Sequence, residues 1–187
     1  MALNAGSFYV GAGIGYANYT GDAIDDPLLV ADQKLEDGSE FLNTFVGVEL
    51  TDSLSVELGY AVFGQVDDRY LNDPAVISII APNDKESVDY QRIRLMGIYR
   101  FPINDKLDVL VSGGYAYFNF DRFFHGGFSP SDPDISVDQS VDKHGLEVGV
   151  GAEYHFTDSF ALRGDVYQSL IDDYKVQTNA LSLVLKF

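Results

Sequence analysis

The chain has 187 residues, with 12 Lys plus Arg against 29 Asp plus Glu, a formal net charge of −17 and no cysteine. A chain of this length without a Pro/Ser-rich linker fits a single domain over residues 1–187. Zero cysteine removes disulfides and thiolate metal sites, and the acidity has the wrong sign for a nucleic-acid binder.

No run approaches the roughly 18–20 consecutive apolar residues a membrane helix needs. Membrane strands, however, expose apolar side chains only at every second position. The 12 Tyr, 13 Phe and 18 Gly are a strand-favouring composition with little helix propensity. The first residues, Met1 to Gly6, have neither a positive n-region nor an apolar h-region, so the expectation is a mature chain without its signal peptide.

Eight segments then alternate apolar with small or charged residues. Residues 7–20 set Phe8, Val10, Ala12, Ile14 and Tyr16 against Tyr9, Gly11, Gly13 and Gly15. The Gly11-Ala12-Gly13-Ile14-Gly15 run resembles a phosphate loop only superficially, because no helix follows it. Residues 40–50 set Leu42, Val46, Val48 and Leu50 against Phe41, Asn43, Phe45, Gly47 and Glu49. Residues 54–66 oppose Leu54, Val56, Leu58, Tyr60 and Val62 to Ser55, Glu57, Gly59 and Ala61. Residues 88–101 put Ile93, Leu95, Tyr99 and Phe101 opposite Arg92, Arg94, Met96 and Arg100.

In residues 107–120, Val109, Val111, Tyr115 and Tyr117 oppose Asp108, Ser112, Gly114 and Ala116. Residues 142–156 oppose Leu146, Val148, Val150, Tyr154 and Phe156 to Glu147, Gly149, Gly151, Glu153 and His155. Residues 160–171 oppose Phe160, Leu162 and Val166 to Arg163, Asp165 and Tyr167, and residues 174–187 end on Leu181, Leu183, Leu185 and Phe187 against Ser182, Val184 and Lys186.

Turn parity supports these faces. Three-residue turns at Thr51-Asp52-Ser53 and Thr157-Asp158-Ser159 pair Leu50 with Leu54 and Phe156 with Phe160. A turn over Pro102 to Lys106 is expected to pair Phe101 with Leu107, and one at Asp172-Asp173 to pair Leu170 with Lys175. A one-residue slip would invert every face. At the other end three connections, at about 21–39, 67–87 and 123–140, are long and acidic, and the fourth, at Asp172-Asp173, is short. Residues 21–40, 67–87, 121–143 and 172–175 together hold nineteen acids and six bases, −13 of the −17.

The polar face carries Glu49, Glu57, Asp108, Glu147, Glu153 and Asp165 against Arg92, Arg94, Arg100, Arg163 and Lys186. A solvated face needs no such balance and no such abundance of Gly, whereas the cramped interior of an eight-stranded barrel needs both. Strands of about 13 residues rising ~3.3 Å each at ~40° tilt would climb about 33 Å, enough to cross the apolar layer. Tyr16, Tyr60, Tyr99, Phe101, Tyr154, Phe156, Phe160 and Phe187 would form interfacial girdles. The predicted fold is an all-β, eight-stranded antiparallel up-and-down transmembrane β-barrel.

The chain resembles the transmembrane domain of OmpA-like outer-membrane proteins. The resemblance rests on Val56-Glu57-Leu58-Gly59-Tyr60, Tyr99-Arg100-Phe101-Pro102-Ile103, Leu107-Asp108-Val109, Gly151-Ala152-Glu153-Tyr154, Ala161-Leu162-Arg163 and Leu183-Val184-Leu185-Lys186-Phe187. It implies a place in the bacterial outer membrane, termini toward the periplasm and long loops outside. It also implies contact with outer-membrane lipids including lipopolysaccharide, and Phe187 as the signal read by the barrel-assembly machinery. In the family two Glu, one Arg and one Lys close the lumen. Glu57, Glu153 and Arg163 match three positions, the Lys position falls on Ile98, and Arg94 or Arg100 is expected to take the cationic role, with Asp165 alongside. The family's peptidoglycan-binding domain is not expected within this chain.

The functional expectation is a monomeric structural or porin-like barrel with a narrow polar lumen, without cofactor. A surface-recognition barrel binding an extracellular ligand through its loops is the alternative, and a lipid-modifying enzyme a third. For the enzyme, His125 and Ser129 supply the residue types but lie in a Gly/Pro loop, so no catalytic residue is assigned. Asp22, Asp25, Asp26, Asp132 and Asp134 offer oxygen donors, yet no D-x-[DN]-x-[DN]-G loop exists and no metal site is expected there.

Overall fold

In the computed structural model the described residues are 6–21, 35–67, 85–126, 135–171 and 174–187. They form eight strands: β1 Phe8–Gly21, β2 Leu35–Glu49, β3 Leu54–Asp67, β4 Lys85–Asn104, β5 Leu107–Gly126, β6 Ile135–His155, β7 Phe160–Ile171 and β8 Tyr174–Lys186. Each pairs antiparallel with its sequence neighbours, and β8 returns to β1, closing the barrel. Among the described residues no helix is long and apolar enough to cross a membrane; the strands do the crossing.

The polarity of the wall is inverted relative to a water-soluble barrel. Leu42, Ile14 and Leu146 are 65%, 64% and 61% exposed, while all eleven charged residues of the polar face are buried. An apolar belt of this extent is stable only against lipid. Tyr99–Phe101, Tyr154–Phe156 and Phe156–Phe160 ring contacts form one girdle at the end that holds the short turns. Tyr16, Tyr60, Tyr115 and Tyr117 mark the other, nearer the long connections.

The short turns explain the register. The amides of Leu50 and Thr51 both donate to the Leu54 carbonyl, and those of Phe156 and Thr157 to the Phe160 carbonyl. Thr51 Oγ1 accepts from the Leu54 amide at 3.0 Å, fixing the turn locally. Leu170 pairs with Lys175 as the parity requires, although Asp172 and Asp173 themselves lie outside the described residues.

One turn differs from expectation. Phe101 pairs with Val109 rather than Leu107, and Asn104 pairs with Leu107 across an irregularity at Pro102/Asn104. Proline has no amide to give to the ladder and is accommodated at such a bulge, so β4 continues past it. The turn shrinks to Asp105-Lys106, closed by Lys106 N donating to Asn104 Oδ1 at 2.9 Å. The face parity survives because the bulge absorbs one residue.

Strands β2, β4, β5 and β6 also run farther toward the long connections than expected, β6 starting at Ile135 and not residue 142. Beyond the apolar belt the outward residues become polar, as at Asn119, which donates to Ser140 and Asp142. There the apolar/polar contrast that reveals a strand disappears.

Candidate functional site

The barrel interior gathers the chemistry, and it is built in layers. At the short-turn end, the inward positions of β2, β4, β5, β6 and β8 bring together Glu49, Arg100, Asp108, Glu153, His155 and Lys186. Arg100 is central: Nη1 lies 2.8 Å from Glu49 Oε1, Nε 3.2 Å from Asp108 Oδ2 and Nη2 3.5 Å from Glu153 Oε1. Lys186 Nζ sits 2.7 Å from Glu153 Oε1 and 3.7 Å from Glu49 Oε1. His155 Nε2 lies 2.8 Å from Asp108 Oδ2 and 3.6 Å from Glu153 Oε1.

Two apolar groups, Ile98 with Met96, Leu110 and Tyr167, and Tyr9 with Phe45, Ala161 and Val184, lie in the lumen along with these ions. A second ionic layer is centred on Glu57. Its carboxylate accepts from Arg163 Nη1 at 2.7 Å and Arg94 Nη2 at 3.3 Å. Arg163 Nε also contacts Asp165 Oδ2 at 2.9 Å, and its Nη2 donates to Tyr167 Oη at 3.0 Å. Arg94 stacks over the Tyr167 ring at 4.1 Å and reaches Glu147 Oε1 at 3.3 Å. Glu147 further accepts from Arg92 Nη1 at 3.1 Å and Ser169 Oγ at 2.7 Å.

Inward glycines make this packing possible. A Cβ on Gly59 would lie 2.8 Å from Arg94 Nε, so the guanidinium occupies the space a side chain would need. Nearer the long connections the polar character ends. Phe41, Phe63, Tyr90, Phe118, Ala17, Ala61, Ala116, Ile171 and Val176 form a buried apolar cluster. Phe63 stacks on Tyr90 at 4.3 Å, and Arg92 lies 5.5 Å from the Phe63 ring.

The structure thus brings Glu57, Arg163, Arg94 and Asp165 into one network and Glu153 and Arg100 into another. Glu57, Glu153 and Arg163, expected together in one lumen-closing network, divide between the two. Glu153 and Arg163 are opposite in register across β6 and β7, but Glu153 bonds Lys186 and Arg100 while Arg163 turns to Glu57 and Asp165. Lys186, on the last strand, supplies the ammonium whose place Ile98 had left open. Glu49, Arg92, Asp108, Glu147 and His155 complete the networks. Their inward parity was the available signal; partners two strands away, such as Arg92 and Arg94 for Glu147, had none.

Phe187 lies 72% exposed on the outer wall, its amide donating to the Phe8 carbonyl at 2.9 Å. His144 is outside the lumen, with Nδ1 2.6 Å from Tyr115 Oη. Asp22, Asp25, Asp26, Ser129, Asp132 and Asp134 lie outside the described residues.

A closed antiparallel barrel with lipid-compatible walls and a charged, filled lumen defines an integral barrel of the bacterial outer membrane. The chain belongs to the outer membrane protein beta-barrel domain family, whose model matches residues 1–187. No curated protein matches the sequence significantly. Among solved structures it is similar to Ail of Yersinia pestis in complex with the heparin analogue sucrose octasulfate (16% identity, 98% of this chain and 100% of that one, TM-score 0.64). It is also similar to Neisserial surface protein A (13%, 96% and 97%, 0.63) and to OprG of Pseudomonas aeruginosa (16%, 100% and 98%, 0.62). At these identities the likeness is one of fold.

Proposed function

We propose that this protein is a structural outer-membrane barrel with a closed lumen, its termini and short turns toward the periplasm and its long connections outside. One observation carries the reading: the interior is filled along its length by two buried ionic clusters and an aromatic layer. Porin-like passage of an ion then requires these pairs to exchange partners, which makes conduction rare and narrow. Planar-bilayer recording of the refolded protein tests this. Silence or brief sub-nanosiemens events are expected, and sustained large conductance would overturn the closed lumen.

The charge distribution favours a second role, recognition at the outer loops. Ail has been solved with a sulfated sugar, but four windows here carry −13 of the −17 charge and would repel a polyanion. The partner this surface suits is cationic or neutral. Trimming the loops should abolish its binding while leaving heat-modifiable folding intact. For the enzymatic alternative, His155 pairs with acids in the lumen, His144 with Tyr115 on the wall, and His125 stands not in a loop but in β5 opposite Lys85 and Ser136.

A further inference from the structure

We propose that Asp108, Glu153 and His155 form a binding site for a first-row divalent metal ion of the zinc type at the short-turn mouth of the lumen. Their donor atoms, one imidazole nitrogen and two carboxylate oxygens, all lie within 4.8 Å of one another. Ligands about 2.1 Å from a tetrahedral ion stand roughly 3.4 Å apart. The His155 Nε2 separations of 2.8 Å to Asp108 Oδ2 and 3.6 Å to Glu153 Oε1 bracket that spacing. One nitrogen with two oxygens suits zinc, cobalt or nickel better than calcium or magnesium, which take oxygen-only shells.

Two further observations favour a cation beyond the Arg100 and Lys186 that already touch these oxygens. The Glu57 layer is balanced, with Glu57, Glu147 and Asp165 against Arg92, Arg94 and Arg163. The mouth cluster has three acids, Glu49, Asp108 and Glu153, against Arg100 and Lys186. With His155 left out of the count, the interior's excess of acids lies at the mouth. There, Glu49 is 1% exposed; its Oε1 pairs with Arg100, and its Oε2 has no hydrogen-bond partner. The His155 side chain retains 19% exposure, against 1% for Glu153, which gives an ion an entry from the short-turn side.

The geometry also names the competitors: Arg100 lies 3.2 Å from Asp108 Oδ2 and 3.5 Å from Glu153 Oε1, and Lys186 is the more displaceable. Lys186 Nζ rests 2.7 Å from Glu153 Oε1, the same oxygen the metal would take. Its flexible four-carbon stem lets the ammonium move toward the mouth when an ion enters. Metal and Lys186 are thus alternative cations for one carboxylate.

The test uses Co2+ and Zn2+ with the full chain refolded in detergent, folding being verified by heat-modifiable gel mobility. Nitrogen-ligated, low-coordinate Co2+ absorbs visibly, which separates this site from oxygen-only binding on the acidic loops. His155→Gln and Asp108→Asn should each weaken Zn2+ binding at least tenfold and erase the Co2+ band, and Lys186→Met should tighten it. Cobalt that shows no such band with the unmodified chain, or zinc affinity unchanged by His155→Gln in a folded barrel, overturns the proposal.

Discussion

Arg163 holds three groups at once: Glu57, Asp165 and the Tyr167 hydroxyl. Arg163→Ala leaves two buried carboxylates short of their closest cation, and breaking a buried pair in this way costs roughly 3–5 kcal/mol. Urea unfolding in lipid should record a loss of that order. Adjacent glycines offer a sharper comparison. A Cβ on inward Gly114 would collide with the Leu95 carbonyl oxygen, whereas one on outward Gly113 meets no heavy atom within 4 Å. Gly114→Ala should therefore destabilise by about 1–3 kcal/mol through overpacking, while Gly113→Ala should leave the unfolding midpoint unchanged or raise it. That the charges share one face was legible from alternation, and that this face is buried from its charge balance and its Gly content. The pairing of Glu153 with Lys186 was not, because contacts across a lumen follow barrel tilt and shear, which no local pattern encodes.

The strands were legible wherever lipid imposes contrast on them. β7, Phe160–Ile171, lies within the apolar belt and its limits match the alternation to the residue. β5 and β6 extend past that belt, and their outer ends were read as loop for want of an apolar face. At the opposite end, β8 closes against β1 through the Phe187 amide on the Phe8 carbonyl, with the Phe187 ring free on the outer wall. Under the proposed orientation that ring is presented to the assembly machinery. Deleting Phe187 should lower the folded, heat-modifiable fraction in cells several-fold while refolding in detergent is largely retained. Equal loss in both settings would mark the residue as part of the girdle alone.

Across the whole barrel, closure is doubled: ionic layers occupy the short-turn half and the middle, and an aromatic layer stands beyond them. Arg163→Ala alone should leave the bilayer silent, and only Arg163→Ala combined with Arg100→Ala at the mouth and with Phe41→Ala and Phe118→Ala should conduct. Conduction by the single variant would reduce the seal to its ions. The same interior charges have a consequence before the barrel exists. Spaced along β2 to β8 at inward positions, and absent from residues 1–21, they keep the later strands from becoming greasy enough to halt in a helical translocation channel, where a central Arg, Lys or Asp opposes insertion by about 2.5–3.5 kcal/mol. Side chains that bolt the finished lumen together thus also serve as the nascent polypeptide's safe-conduct through the inner membrane.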